Sequence, residues 1–530
     1  MTGSPAVDGA RGAGEAGEAG EAGLTAASLE CELVTRHSLT LSPDPARVVA
    51  KLFLPGEEGG QAHSRAASVV ARIMALPEAE VDDLVAGLLA RFTPRHHDYL
   101  GILVRHAAAV ASRTRTPGEH SPSRELLIGA CFTAEYAVEG AAVTNPSMVA
   151  HVDQSGLDPG ALRIVLSLRG VGEGHLSSIG FRAGVLGPGR AARLEPAGGP
   201  LTTGTTVAAT WELGRLRTVL AARGLDDEVT RGVLHGLGDR PTAADLERAF
   251  TDVPPDLLRR PQAPGIIAGI RDVVGSLHQV EFPSDSTLAQ RVLWPTLPVE
   301  SNGMEDARFV RFTRPDADPE YRATYTAYDG QRITPRLLTS PDLRVFTTEP
   351  LTGRAARNKG MALFPRTVAG RHLALCRSDG ETTSLTASDD GYHWDTPRPV
   401  HVPSASFELL QVGNCGSPIE TAAGWLMLTH GVGPMRAYTI GAILLDLDDP
   451  ATMLAALPEP LLAPTRAEGD GYVPNVVYSC GGLVHDGTLW LPYGIGDSRV
   501  GMASVELDRL LSRMTPAARA RHPRMTPPVE

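Results

Sequence analysis

Near the middle of the chain two acids stand side by side with a base two residues on, in the run MEDAR (304–308). Alternate residues of a strand face opposite ways, so the pattern predicts that Glu305 and Asp306 divide, one carboxylate entering a site and the other serving the scaffold. An acid held beside Arg308 stays ionised, whereas one taken out of water keeps its proton and can act as a general acid. The run RNKGMALFPR (357–366) sets Arg357, Asn358 and Lys359 ahead of an apolar strand, a group suited to an anion or to sugar hydroxyls. GNCGSPIE (413–420) and LTHGVGPMR (428–436) carry Asn414, Glu420, His430 and Arg436 among glycines, which let a backbone approach a ligand closely. GYVPNVVYSCGG (471–482) adds Tyr472 and Asn475, fitted either to turns or to ring stacking and hydroxyl binding.

Other patterns carry less. GVGEGH (170–175) lacks the full dinucleotide fingerprint and its strand–helix–strand context. His96, His97 and His106 do not have the i, i+4 spacing of a helical metal site, so no metal is expected. Neither a G-x-S-x-G elbow nor a phosphate-binding G-x-x-x-x-G-K loop occurs.

These residues need a frame. Five runs share one layout, an apolar strand with a polar cluster at its end: RIVLSLRG (163–170), YRATYTAYDG (321–330), RHLALCRSDG (371–380), GWLMLTHGVG (424–433) and GTLWLPYGIGD (487–497). The last four recur roughly every 50 to 65 residues, the period of propeller blades. If the runs are inner strands, their ends (Arg169, Tyr328 with Asp329, Arg377, His430, Asp497) converge at one mouth. SDDGYHW (388–394) reads as a tight turn with a Trp packed behind it. Two other stretches, about 45–143 and 206–293, space their apolar residues as helices do, and Thr242 with Asp245 forms a capping signal before Leu246.

The expected architecture is mainly β, a five-bladed propeller with an added α-helical N-terminal region and a helical insertion. Its parts are a disordered tail (1–35), the helical region (36–143), a first blade (144–195), the insertion (196–293), the remaining blades (294–515) and a frayed tail (516–530). The first tail contains GAGEAGEAGEAG, which cannot bury enough apolar surface to fold. Across 530 residues, 49 basic against 61 acidic side chains give a net charge of −12, which argues against general nucleic-acid or anionic-membrane binding. Five scattered cysteines fit a reducing, cytoplasmic compartment, and no apolar run is long enough for a spanning helix.

Read together, NPSM (145–148), LSLRGVGEGHLSSIGFR (166–182), EDAR (305–308), TYTAYDG (324–330), NKGMALFPR (358–366), GNCGSPIE, THGVGP, GAILLDLDDP (441–450), YVPNVVYSCG and PYGIGD (492–497) resemble glycoside hydrolase family 130. That family comprises inverting β-mannoside phosphorylases and mannosidases on a five-bladed propeller. The resemblance implies that Asp306 is the general acid, acting through a sugar hydroxyl. It implies phosphate ligands at Arg169, Lys359 and His430, with Arg357 or Arg436 beside them. Sugar-binding positions fall on Asn145, Asp329, Tyr472, Asn475 and Asp497, and the motifs add Arg308, Tyr328, Asn358, Asn414 and Glu420. No cofactor is expected beyond inorganic phosphate as co-substrate, and the partners are a small carbohydrate and phosphate.

An inverting glycosidase needs a second carboxylate to activate water, whereas a phosphorylase needs a cationic cradle for a nucleophile that arrives ready-made. Arg169, Lys359 and His430 from three repeat units supply such a cradle, which favours phosphorolysis over hydrolysis with Glu420 or Glu305 as base. A non-catalytic glycan-binding propeller is the reading from another class. The helical additions are expected to form a lid, extend subsites or build a homo-oligomer interface.

Overall fold

The computed structural model describes residues 33–55, 62–114 and 120–517. Most of the tail expected over 1–35 and most of that over 516–530 lie outside these residues. The chain is mainly β, built as five antiparallel sheets in sequence. The first runs Ala142–Ala150, Leu162–Val171, Ser177–Gly187 and Ala191–Leu194. The second runs Gly303–Arg314, Ala317–Tyr328, Ile333–Ser340 and Val345–Pro350, and one parallel pairing, Gly303 with Ser177, ties it to the first. The third contains His372–Cys376 and Thr383–Ser388, the fourth Gly424–Val432 and Tyr438–Leu445, and the fifth Thr488–Ile495 and Arg499–Glu506.

The outer edge of the fifth sheet is not contributed by its neighbours in sequence. Thr35–Leu41 pairs antiparallel with Arg499–Glu506, Thr35 opposite Ser504. An unpaired edge is a template for aggregation, and this strand covers one.

Apolar clusters join each sheet to the next. Phe181, Phe309 and Phe346 pack between the first and second sheets, and Val310, Leu337, Leu363 and Cys376 between the second and third. Leu375, Trp425 and Met427 join the third to the fourth, and Leu428, Ile440, Leu489 and Leu491 the fourth to the fifth. Met148, Leu166, Trp490 and Met502 join the fifth back to the first. Burying the apolar face of every sheet against two neighbours is what stabilises such short strands.

The five runs singled out in the sequence are the second strand of each sheet, not the first. The first strands are shorter or bulged, so their alternation is hard to see in sequence. The stretch 36–143 holds four helices, Ala62–Met74, Glu78–Phe92, Tyr99–Thr114 and Pro122–Cys131, besides the strands Thr35–Leu41, Val48–Leu52 and Thr133–Ala137. Val70, Ile73, Val81 and Val85 are buried in that bundle, whereas Met74 and Leu84 face outward. A second bundle, with helices from Leu213–Ala222 to Ala263–Val274, has its own core around Leu216, Leu246 and Ile270. Thr242 and Asp245 form the reciprocal cap that the sequence signalled. The strands Thr205–Val207 and His278–Glu281 at the two ends of this bundle extend the second sheet. In the hairpin 388–394, Asp390 accepts the amides of Tyr392 and His393, and Trp394 is fully buried. No helix among the described residues is long and apolar enough to cross a membrane.

Candidate active site

The site is built on backbone irregularity. The register slips between Thr144 and Ser147 in the first sheet and between Glu305 and Arg308 in the second. At those slips Asn145 and Asp306 have φ of 49° and 53°, a conformation that Asn and Asp tolerate better than other side chains. A bulge of this kind re-aims a side chain, and here Asp306 lines the pocket while Glu305 does not, although the two do not point strictly apart. Both carboxylates reach the same arginine: Arg169 Nη2 donates to Glu305 Oε1 at 2.6 Å, and Nη1 to Asp306 Oδ1 at 3.4 Å.

Around them lies a pocket of about 240 Å³, lined by Asn145, Arg169, Asp306, Lys359, Arg377 and Asp497, with Arg436, Tyr438 and Tyr478 on its wall. The Asn145 amide donates to Asp306 Oδ1 at 2.6 Å, and Lys359 Nζ to Glu305 Oε2 at 2.5 Å. Glu305, 5% exposed, therefore bridges two cations, one on a strand of the first sheet and one in the loop ahead of Ala362–Leu363. Asp497, with φ of 49°, is joined to Asn145 through the Thr144 hydroxyl. A second pocket of about 160 Å³ shares Arg169 and Asp497 and is walled by Thr144, His175 and Tyr472. Tyr472 is 62% exposed, its ring tilted against His175 with centroids 5.4 Å apart.

The electrostatics separate the acids. Burial works to raise the Asp306 pKa, but Arg169, Arg308 and Lys359, with the Asn145 amide, outweigh it and hold the carboxyl below its ordinary range. Asp497 moves the other way: burial raises it, and the charge of Asp306 adds to that. His430 is pushed well below the imidazole range by burial first, then by Arg377 and Arg308, so it is neutral.

Not every residue expected at the site meets the others. Arg308 is 2% exposed and spends its guanidinium on the scaffold, donating to the carbonyls of Cys415 and Asp306 and to the Tyr478 hydroxyl. It thus clamps the backbone that carries the acid. His430 lies behind the pocket wall, and its Nε2 accepts from Arg377 Nη1 at 2.7 Å, so Arg377 presents the charge and the imidazole holds it. Asn358 accepts the Lys359 amide and donates to the Arg377 carbonyl, and Asn414 donates to the Gly360 carbonyl, both bracing the Lys359 loop.

Glu420 pairs with Arg366 through both oxygens, away from this pocket. Asp329 accepts the amides of Gln331 and Arg332 in a turn, and the Tyr328 hydroxyl donates to Gly330. Arg357 and Asn475 are exposed, and neither lines the pocket. Arg377 went unassigned as a ligand in the sequence, although it closes the third run much as Arg169 closes the first. No group of three or more His, Cys, Asp and Glu able to hold a metal occurs among the described residues. His96 instead bonds Glu135, and His106 the Thr133 hydroxyl.

The model of glycoside hydrolase family 130, described as beta-1,4-mannooligosaccharide phosphorylase, matches residues 279–515. Asn145 and Arg169 therefore reach the site from outside the matched segment. The 1,2-beta-oligomannan phosphorylase of Thermoanaerobacter sp. (strain X514) is 35% identical over 221 residues, 39% of this chain and 70% of that protein. A beta-1,2-mannobiose phosphorylase of the same organism is 32% identical over 231 residues, 41% of this chain and 72% of its own. Among solved structures, the beta-1,2-mannobiose phosphorylase of Listeria innocua in complex with beta-1,2-mannobiose is 20% identical. That alignment covers 71% of this chain and 92% of that one, with a TM-score of 0.42.

Proposed function

The chain belongs to glycoside hydrolase family 130, and we propose that it is an inverting β-mannoside phosphorylase on a five-bladed propeller. The ring of apolar clusters, closing from the fifth sheet to the first, supports the propeller. In the reaction, inorganic phosphate attacks the anomeric carbon of a β-linked mannoside. The glycosidic C–O bond breaks as the new C–O bond forms on the opposite face, giving α-mannose 1-phosphate. The leaving oxygen takes a proton that originates on Asp306, passed through a sugar hydroxyl, and the shortened acceptor departs.

The observation that carries this reading is the chain of contacts from Lys359 through Glu305 to Arg169 and on to Asp306. With Arg377 beside them, these cations suit a dianion, and their charge-assisted hydrogen bonds are the strong kind. They also explain how an acid with a depressed pKa is armed. A seated phosphate offsets Arg169 and Lys359, so the Asp306 pKa rises when the nucleophile is present. Glu305 has both oxygens tied to cations, and Glu420 is bound to Arg366, so neither is a free base for water. The smaller pocket beside Tyr472 takes the acceptor sugar. A cytoplasmic setting accompanies this reading, since phosphate is the co-substrate and the four described cysteines are free.

The test is incubation with β-manno-oligosaccharides with and without phosphate, assaying α-mannose 1-phosphate. Turnover indifferent to phosphate, or free mannose as sole product, would indicate hydrolysis instead. Asp306→Asn should lower turnover at least about 10²-fold while sugar still binds. Near-normal activity in that variant refutes the assignment of the acid.

A further inference from the structure

A second cavity, of about 750 Å³, lies apart from the pocket just described. It lies where the helix Leu213–Ala222 of the second bundle covers the second sheet, with the hairpin at Asp390 and Tyr392 forming the third wall. A helix laid on a sheet ordinarily buries apolar side chains against it at near-crystalline density. Here the covered face is polar and the space is unfilled. Gln279, Thr347 and Thr339 are direct cross-strand partners on three adjacent strands, so they form one row of hydrogen-bonding side chains across the floor. Neighbouring strands are about 4.8 Å apart, so the row spans about 10 Å. Glu349, two residues beyond Thr347, shares that face.

Arg215 holds the walls together. It is 8% exposed and donates to Glu349 Oε2 at 3.3 Å and to the Pro350 carbonyl at 2.9 Å. Its guanidinium lies 3.7 Å from the centre of the Tyr392 ring, and its buried Nη1, without a hydrogen bond, stands 3.8 Å from Asp390 Oδ2. The cavity is thus built around an ordered buried cation. Its volume falls within the range of small-molecule sites, roughly 300–1,000 Å³.

The charges on the lining decide what fits. Glu212, Glu349 and Asp390 face Arg215 and Arg240, and Arg215 is already matched by carboxylates. No surplus of positive charge remains for an anion. What remains is a mixture of carboxylates, threonine hydroxyls and an amide, beside the aromatic Tyr392. Hydroxyl groups both donate and accept, so this mixture recognises a neutral, hydroxyl-rich molecule. We infer that the cavity between the second bundle and the second sheet is a separate binding site for a neutral oligosaccharide, distinct from the pocket at Asp306. The inference stands independently of the phosphorylase reading.

The full chain is titrated calorimetrically with β-mannotriose, without phosphate, alongside hydrogen exchange of the segments 213–222 and 345–350. Cellotriose and inorganic phosphate serve as comparison probes. The trisaccharide is expected to bind and to protect both segments. Thr218→Trp, which fills the space from the helix, and Gln279→Ala, which breaks the polar row, should each weaken that event at least about tenfold. Both should leave phosphorolysis at the Asp306 pocket, which shares no lining residue with this cavity, within about twofold. An isotherm and protection pattern unchanged in both variants overturns the inference, as does protection by phosphate in place of the sugar. A chain that shows the variant-sensitive binding but no phosphorolysis would refute the activity and leave the cavity's assignment standing.

Discussion

Replacing Lys359 by Met removes one charge from the cradle while keeping the length and packing of the stem. Its amine is 2.5 Å from Glu305, with the side chain 33% exposed. When phosphate enters, the amine gains one charge-assisted hydrogen bond, worth roughly 1.5–3 kcal/mol. At about 1.4 kcal/mol per factor of ten, that is about 10- to 150-fold in phosphate binding. Partial exposure screens the charge, which places the expected rise in the phosphate KM near the lower end, about 10- to 30-fold. Glu305 keeps Arg169 as its partner but loses half its neutralisation, and its charge then opposes the incoming dianion, an effect of the same sign. The KM for the sugar should change by less than about threefold, because the lost interaction is with the nucleophile. The assay is the initial rate of α-mannose 1-phosphate release, varying phosphate at saturating β-mannobiose and then the reverse. Equal increases in the two constants would refute the reasoning, since the lysine would then only shape the pocket.

Two further outcomes follow from the site. Asp497→Asn removes a negative charge that faces Asp306; the ionised form of Asp306 becomes easier to reach, so its pKa falls. A general acid works protonated, so the alkaline limb of the rate profile should move to lower pH, and an unmoved limb would mean the two carboxyls are not coupled. Arg308→Lys cannot reproduce three hydrogen bonds in fixed directions; it should cost about 3 kcal/mol or more of stability, read as a lower urea midpoint, and an unchanged midpoint would contradict the clamp.

Much of this was legible in the chain before its folding. Asp306, Arg169, Lys359, Asn145, Arg436 and Asp497 come from six separate sequence motifs, and all line one pocket. The failures have specific physical causes. Period-two alternation placed Glu305 and Asp306 on strictly opposite faces, but a bulge with positive φ turns both toward Arg169, and sequence does not announce such a bulge. Asp329 resembled a ligand because an aspartate before glycine serves turns and sites alike; here two backbone amides claim it. His430 was read as a cation since its burial was invisible, and burial is what keeps it neutral behind Arg377. The large cavity could not be read at all, because its floor and roof join residues such as Arg215 and Glu349, 134 positions apart.

The strand Thr35–Leu41 imposes an order of events on the making of this protein. His37 bonds Ser504 across a separation of 467 positions, so the edge that the strand covers is synthesised long after the strand itself. At about 5–20 residues per second, the early segment waits roughly 25 to 90 seconds for its partner. Four sheets can assemble in that interval, but the border strand has no partner until the strands of the fifth sheet emerge. Shortening the polypeptide from the rear by even its final sheet would therefore strand a segment at the front.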